Sequence, residues 1–448
     1  MTVALIVYLV LLIVIAVRSA RRVKGVPDFF VARKGASARA VAGSLVATIL
    51  GGSAVIGAVD SGARLGGAAS WFMLVGALGL VALIPFAGRA YSHGKYALPD
   101  LVEYLYGKGP RLVASVVIPV AWTGIVAAQI IAAAKLLMTF APLGYTAAAI
   151  TAAAVFTGYT LAGGQLSILR TDFFQACLII AGLLVVAGFA LFGGAHGFAG
   201  SPLGGTSAPA FPFNANFSPL DLFLLVLTYG TTYTAGPDIF SRMFCAKDVA
   251  TAKKGIAYAA CTLVPVAFVI GFLAVYGAGL GDVSGARITA IADKVLPPAL
   301  IPLFALALLS VVLSSADTTL LSSSVIICGL FGMEKRSAGV ARARIVILLN
   351  GIVALLLALV FTDIIGTLLL ALAVYAGAFT VPILWGLLGL RAKPRFVAAA
   401  IVAGGALALA GKLCPALPGT LGAHTGDILM VAAFAVNAII LALGRVSK

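Results

Sequence analysis

Charged residues are scarce in this chain. Only 10% of its 448 residues are charged, whereas 62% are hydrophobic, and an average soluble domain carries roughly 25% charged residues. Acids are the scarcer sign, with 14 Asp and Glu against 30 Lys and Arg. A soluble protein of this length could not bury so much apolar surface, so we expect a membrane protein.

Histidine and cysteine are also rare, at three and five residues. Their spacing is neither paired nor typical of metal ligands, and no nucleophile or acid–base constellation accompanies them. We therefore expect no disulfide framework and no enzyme. The basic residues lie between apolar runs, which predicts orientation in a bilayer rather than a nucleic-acid partner. No obligate protein partner is evident.

Long apolar runs dominate the remainder of the sequence. We count thirteen, each long enough to cross a hydrocarbon layer of about 30 Å, and such runs cross lipid only as helices. The predicted fold class is therefore an all-α polytopic membrane protein. Its divisions are a leading helix at 1–17, five segments over 41–194, five more over 219–390 and two C-terminal helices over 396–443. Groups of five permit an inverted repeat, because an odd number of crossings reverses the entry side of the second group.

The distribution of basic residues predicts the orientation. Lys and Arg collect in alternate connections, beginning with the cluster between Arg18 and Arg39. Because cytoplasmic loops are enriched in Lys and Arg, we expect the N-terminus outside the cell membrane and the C-terminus in the cytoplasm.

Two apolar segments contain residues that break helices. The second segment carries Gly51-Gly52, and the seventh carries Gly236-Pro237. Proline removes an amide donor, and carbonyls freed at mid-membrane breaks coordinate cations in many transporters. Glycine that merely allows close helix packing is the competing interpretation. We expect both segments to be broken helices at a binding site.

A run of hydroxyls and one acid interrupts the ninth apolar segment. Sodium prefers oxygen ligands, as other hard cations do. The Ser314 and Ser315 hydroxyls with the Val311 carbonyl supply three such ligands, and the carbonyls of Ala47 and Leu50 at the first break supply two more. The competing interpretation is that these hydroxyls bond to their own helix.

Acids inside apolar segments are functional hypotheses by default. Asp317, beside Thr318, and Asp172 are the two clearest, and we assign these three residues to a second ion or to coupling. A salt bridge to Arg170 or to a neighbouring loop is an equal alternative for Asp172. The breaks also suggest a solute pocket, lined by Ser53, Gln129, Thr232, Tyr233 and Asp238.

Several ordered motifs resemble the sodium:solute symporters, which include sodium/proline, sodium/sialic acid and sodium/galactose transporters. The resemblance covers roughly residues 28–390. It rests on Asp28-Phe29-Phe30-Val31-Ala32-Arg33, on Gly236-Pro237-Asp238-Ile239-Phe240-Ser241-Arg242, on Leu313-Ser314-Ser315-Ala316-Asp317, and on residues 98–104, 159–167 and 375–382. It implies the inverted five-helix repeat of the bacterial leucine transporter, with one helix before it and two after. It also implies a sodium site at the same five positions and a coupling role for Asp172.

Departures from the family pattern bear on the solute. Ser53-Ala54 and Gly236-Pro237 stand where sugar-transporting members carry polar residues, so an amino acid or organic acid is favoured over a sugar. The expected function is sodium-coupled symport of a small organic solute by alternating access. Two alternatives remain at this point: proton coupling through Asp172 or Asp317, and a membrane sensor that does not transport.

Overall fold

The computed structural model describes residues 2–140, 142–193, 211–281, 283, 285–333, 338–361, 364–413 and 425–446. Within these ranges the chain is helical and forms no strand, apart from three isolated bridges. The expected all-α class is confirmed.

The helices are labelled α1 to α17. The first half comprises α1 (Thr2–Ala20), α2 (Val26–Val31), α3 (Ala38–Ile49), α4 (Trp71–His93), α5 (Leu98–Tyr106), α6 (Lys108–Phe140) and α7 (Tyr145–Phe192). Next come α8 (Pro219–Leu225), α9 (Thr231–Ala235), α10 (Pro237–Phe244), α11 (Val249–Ala278), α12 (Arg287–Val295) and α13 (Ile301–Leu330). The last are α14 (Gly339–Val360), α15 (Ile364–Leu387), α16 (Pro394–Leu413) and α17 (Thr425–Leu443). Short 3-10, π and α turns lie at Ala32–Lys34, Ser53–Gly57, Ala58–Asp60, Gly62–Leu65, Gly66–Ser70 and Val226–Gly230.

Among the described residues, fewer helices qualify as membrane spans than the thirteen segments that the sequence predicts. Nine described helices are long and apolar enough to cross a bilayer, or ten if one bent pair counts as a span. One reason for the difference is α7, which joins two predicted segments in 48 residues. At 1.5 Å per residue it is about 72 Å long, more than twice the hydrocarbon thickness. Thirteen crossings therefore stay a prediction.

A glycine divides α7 near the end of its first predicted segment. Gly164 has φ 54° and ψ −145°, a conformation that L side chains rarely adopt. A Cβ there would lie 2.6 Å from the carbonyl oxygen of Phe29. The kink and the close approach of α2 both require glycine at this position.

The α2 motif contains an ion pair between a buried acid and an exposed arginine. The Arg33 guanidinium donates hydrogen bonds to the Asp28 carboxylate, and this pairing lowers the pKa of Asp28. The motif thus forms a structured turn before the first broken helix.

Both predicted helix breaks are confirmed. Helix α3 ends at Ile49, Leu50 leaves helical geometry at ψ 51°, and the following turns bend away by 58°. Helix α9 ends at Ala235, and Gly236 is extended at ψ 137°. Pro237 then opens α10 at a position where no amide donor is needed.

Helix α13 forms the centre of the bundle. Its residues from Ser310 to Ser324 are all buried, hydroxyls and acid included. It packs against α3, α6 and α7. Polar groups therefore lie in the middle of the protein, where the first broken helix meets α13.

Candidate sodium and solute site

The predicted sodium ligands meet where α13 crosses the first break. Ser314 Oγ lies 2.9 Å from the Ala47 carbonyl oxygen and 3.4 Å from that of Val311. Ser315 Oγ lies 3.0 Å from the Thr48 carbonyl oxygen. These hydroxyls thus contact α3 as well as their own helix. No described hydrogen bond joins the fifth predicted ligand, Leu50, to α13, although it lies at the break itself.

The break keeps this contact close. A Cβ on Gly51 would lie 2.6 Å from Ser315 Oγ, so a larger residue would push the two helices apart. The oxygens gathered here belong to neutral carbonyl and hydroxyl groups. Such a set suits a hard monovalent cation, whose single charge needs no carboxylate to balance it. Thr48 was missed in the sequence because the backbone path through the break, and not the residue type, decides which carbonyls face α13; the Thr48 hydroxyl also lies 3.3 Å from Thr318 Oγ1.

An ion pair lies beside the predicted sodium ligands. Arg242 Nη2 is 3.5 Å from Asp172 Oδ2, and both side chains are fully buried. The Asp172 carboxylate also accepts a hydrogen bond from the Ser44 hydroxyl. The alternative salt bridge from Asp172 to Arg170 is wrong, because Arg170 instead donates to Ser19 at 3.2 Å.

The Arg242 guanidinium connects four helices. It donates to Ser44 Oγ on α3 at 3.2 Å, to its neighbour Ser241 Oγ at 2.9 Å and to Thr318 Oγ1 on α13. A cationic group of the protein therefore lies between Asp172 and Thr318. Sequence reasoning missed its role, since only the fold brings α10 against α7.

Asp317 lies on the far side of Thr318. Its Oδ1 accepts from Thr318 Oγ1 at 3.2 Å, and its Oδ2 has no hydrogen-bond partner among the described residues. About two turns before Asp317 on α13, Ser310 Oγ lies 2.6 Å from the Tyr8 hydroxyl oxygen. That hydroxyl oxygen also accepts a hydrogen bond from the Gln175 side chain. The leading helix α1 thereby reaches the helix that carries the predicted sodium ligands.

A small cavity lies beside the two breaks. Its volume is about 50 Å³, and four of the five predicted solute residues line it: Gln129, Thr232, Tyr233 and Asp238. The side chain of the fifth, Ser53, lies outside the described part of the chain. Ser315 and Thr48 line the same cavity. The cavity and the set of predicted sodium ligands therefore share Ser315.

Aromatic side chains that the sequence analysis did not select complete the cavity. Trp122 and Tyr229 line it, and the Tyr229 and Tyr233 rings pack edge to face at 5.1 Å. The Tyr375 hydroxyl donates to the Ala235 carbonyl, which the second break frees. Aromatic residues in apolar helices usually indicate packing, so no local signal marked them.

The fold is that of known cation-coupled transporters. A Na⁺-coupled sialic acid symporter, solved in a substrate-bound outward-open state, is 18% identical, with 100% of this chain and 99% of that chain covered at a TM-score of 0.78. Mhp1, a nucleobase-cation-symport-1 family transporter solved closed with bromovinylhydantoin, is 16% identical, with coverage of 93% and 95% and a TM-score of 0.54. The leucine-transporter fold expected from the motifs is confirmed.

A sequence search of curated proteins finds no match. The model of the sodium:solute symporter family, by contrast, matches residues 29–395. That match covers most of the chain and nearly all of the range in which the motifs occur. It identifies a multi-pass membrane transporter with sodium as its coupling ion. The chain therefore belongs to the sodium:solute symporter family.

Proposed function

We propose that this protein is a symporter in which one sodium ion, bound where α3 breaks against α13, completes a neighbouring pocket for a small amino acid or organic acid. The observation that carries the proposal is the approach of Ser314 Oγ to the Ala47 carbonyl oxygen at 2.9 Å. The sodium ligands are Ala47, Leu50, Val311, Ser314 and Ser315. The solute ligands are Ser53, Gln129, Thr232, Tyr233 and Asp238.

Shared residues couple the two sites. Ser315 Oγ contacts the Thr48 carbonyl, and both residues also line the solute cavity. A cation that fixes these atoms fixes one wall of the pocket, so solute affinity rises when sodium is bound. By reciprocity, the solute raises the affinity for sodium by the same factor.

We assign Asp172, Asp317 and Thr318 to coupling rather than to a second sodium ion. The Arg242 guanidinium contacts both Asp172 and Thr318 and supplies a positive charge there. Because Arg242 follows the second break, movement of α10 during alternating access would separate it from Asp172. The pair is then a contact that distinguishes one conformation from another.

The proposed topology follows the sequence divisions. Two five-helix repeats over 41–194 and 219–390 move against each other, with the N-terminus outside and the C-terminus in the cytoplasm. Residues 194–210, at the junction between the two repeats, lie outside the described residues, as do several shorter stretches within the repeats. One sodium charge that moves inwards contributes about 2.3 kcal/mol per 100 mV. That energy supports roughly a fortyfold accumulation of solute, at about 1.4 kcal/mol per tenfold.

The test is ²²Na⁺ binding to the purified full chain, followed by uptake of labelled solutes into proteoliposomes with and without a sodium gradient. We expect saturable ²²Na⁺ binding. Unlabelled NaCl should displace the bound ²²Na⁺, whereas KCl at the same concentration should not. The double substitution Ser314→Ala with Ser315→Ala should abolish the binding. Ser323→Ala is the matched control, since this buried hydroxyl of α13 lies 3.5 Å from the Pro119 carbonyl, away from the break. Unchanged ²²Na⁺ binding in the double variant would refute the sodium site.

A further inference from the structure

The charge of the cavity distinguishes between the two solute classes. Asp238 lines the cavity, and none of the described residues that line it is a Lys, Arg or His. Arg242, one turn further along α10, is occupied by Ser44, Ser241 and Thr318 and faces Asp172. No described side chain donates a hydrogen bond to the Asp238 carboxylate. The Asp238 carboxylate accepts hydrogen bonds from backbone N–H groups at the start of α10, and Arg242 attracts it. Because no described residue in the cavity wall itself carries a positive charge, the cavity favours a positive group on the solute.

Two polar atoms that belong to residues lining the cavity lack hydrogen-bond partners among the described residues. They are Gln129 Oε1, an acceptor, and Trp122 Nε1, a donor, and both side chains are at least 97% buried. Gln129 Oε1 faces the first break, where it would lie 3.3 Å from a Cβ on Gly52. Buried polar groups normally have a hydrogen-bond partner. The wall therefore offers a carboxylate and an amide oxygen to a donor, and an indole N–H to an acceptor.

The aromatic residues fit the same ligand chemistry. Trp122, Tyr229 and Tyr233 all line the cavity that contains Asp238. The faces of such rings carry partial negative charge and attract ammonium groups. An organic anion without an amine would meet the Asp238 carboxylate and these ring faces with no basic side chain in the wall to compensate.

We propose that the solute carries a protonated amine, which pairs with Asp238 and Gln129 Oε1, while an oxygen of the solute accepts from Trp122 Nε1. The solute is thus a small amino acid rather than a simple organic acid. A cavity of about 50 Å³ holds only a few water-sized probes, which favours a short side chain. This inference rests on the proposed function, because it takes the cavity to be the solute site.

The test compares amino acids with their 2-hydroxy acids on the purified full chain. Each pair, such as L-alanine with L-lactate, shares one skeleton and one carboxylate and differs only in ammonium against hydroxyl. Melting temperature is measured with each compound in NaCl and in equal KCl. We expect at least one amino acid to raise the melting temperature in NaCl while its 2-hydroxy acid does not.

The variant Asp238→Asn tests whether the Asp238 carboxylate pairs with the amine of the solute. We expect it to weaken the apparent affinity for the active amino acid at least tenfold. Asp293→Asn, an exposed acid on α12, is the matched control and should bind like the natural chain. The melting profile of each variant without solute reports its folding. If Asp238→Asn fails to fold, the comparison of each amino acid with its 2-hydroxy acid on the natural chain still tests whether the solute needs an amine.

Three results would overturn the inference: 2-hydroxy acids that bind as well as their amino acids, no amino acid of the panel that raises the melting temperature in either salt, or full amino acid affinity in Asp238→Asn. Failure of the sodium site looks different. Amino acids would then raise the melting temperature equally in NaCl and KCl, which would leave the assignment of Asp238 intact.

Discussion

The buried pair of Arg242 and Asp172 provides a sharp test of how the broken helices are held. Its two atoms lie 3.5 Å apart with both side chains fully buried. At an effective dielectric constant of about 20, unit charges at that distance attract by about 5 kcal/mol before desolvation is counted. Removal of one partner from a buried pair typically costs about 3–5 kcal/mol, because the other charge is left uncompensated.

We therefore expect Arg242→Met to lower the melting temperature of the purified protein more than any exposed substitution does. Arg344→Met is the control, since this exposed arginine donates only to the carbonyls of Leu161 and Ala162. The double variant Asp172→Asn with Arg242→Met should recover much of the loss, because no lone charge remains. Melting is followed by intrinsic fluorescence in one detergent and one salt.

The double variant also separates a structural role from a coupling role. If the pair acts in the transport cycle, stability returns in the double variant but sodium-driven uptake does not. A double variant that melts as low as the sum of the single effects would show that the two charges are not coupled. Recovery of both stability and uptake would show that the pair is purely structural.

Three further predictions concern the helices around the sodium site. Ser314→Ala should weaken ²²Na⁺ binding about 10- to 150-fold, since a polar contact to a charge is worth about 1.5–3 kcal/mol. A Ser314→Ala variant that binds ²²Na⁺ as tightly as the control Ser323→Ala would contradict this. Gly51→Ala should also weaken ²²Na⁺ binding, because the new methyl would lie 2.6 Å from Ser315 Oγ; normal affinity would refute the clash. Tyr8→Phe should destabilise the fold by about 1–3 kcal/mol, measured by melting, since Ser310 and Gln175 lose a buried partner; an unchanged melting temperature would count against it.

The breaks were predictable because their cause is local. Pro237 cannot donate an amide hydrogen bond, and it disfavours a helical conformation for the preceding Gly236. Ser314 and Ser315 stood out for a similar reason, as adjacent hydroxyls in a run that is otherwise apolar. In each case a few neighbouring residues contain the whole physical argument.

The partner of Asp172 could not be predicted in this way. Arg170 is two residues distant in sequence, and Arg242 is seventy. Proximity in sequence favours Arg170 as the partner. Residues two positions apart in a helix point to different faces, however, and only the packed bundle shows which basic residue lies opposite Asp172. The number of spans was uncertain for the reverse reason: hydropathy separates α7 into two segments, whereas its backbone is continuous apart from Gly164.

The proposed sodium ligands lie on two helices, and this arrangement gives one ion a way to drive a conformational change. A ligand shifts an equilibrium only by its difference in affinity for the two conformations. If all ligands came from α13, sodium would bind equally well wherever α3 lay, and it would shift nothing. Ala47 and Leu50 belong to α3 and its break, whereas Val311, Ser314 and Ser315 belong to α13. Separation of the helices therefore removes part of the ligand set at once, and the energy of the lost contacts becomes the coupling energy. The same reasoning predicts that Gly51→Ala, which removes no ligand atom but places a methyl against Ser315 Oγ and spaces the helices, weakens sodium binding and coupling together.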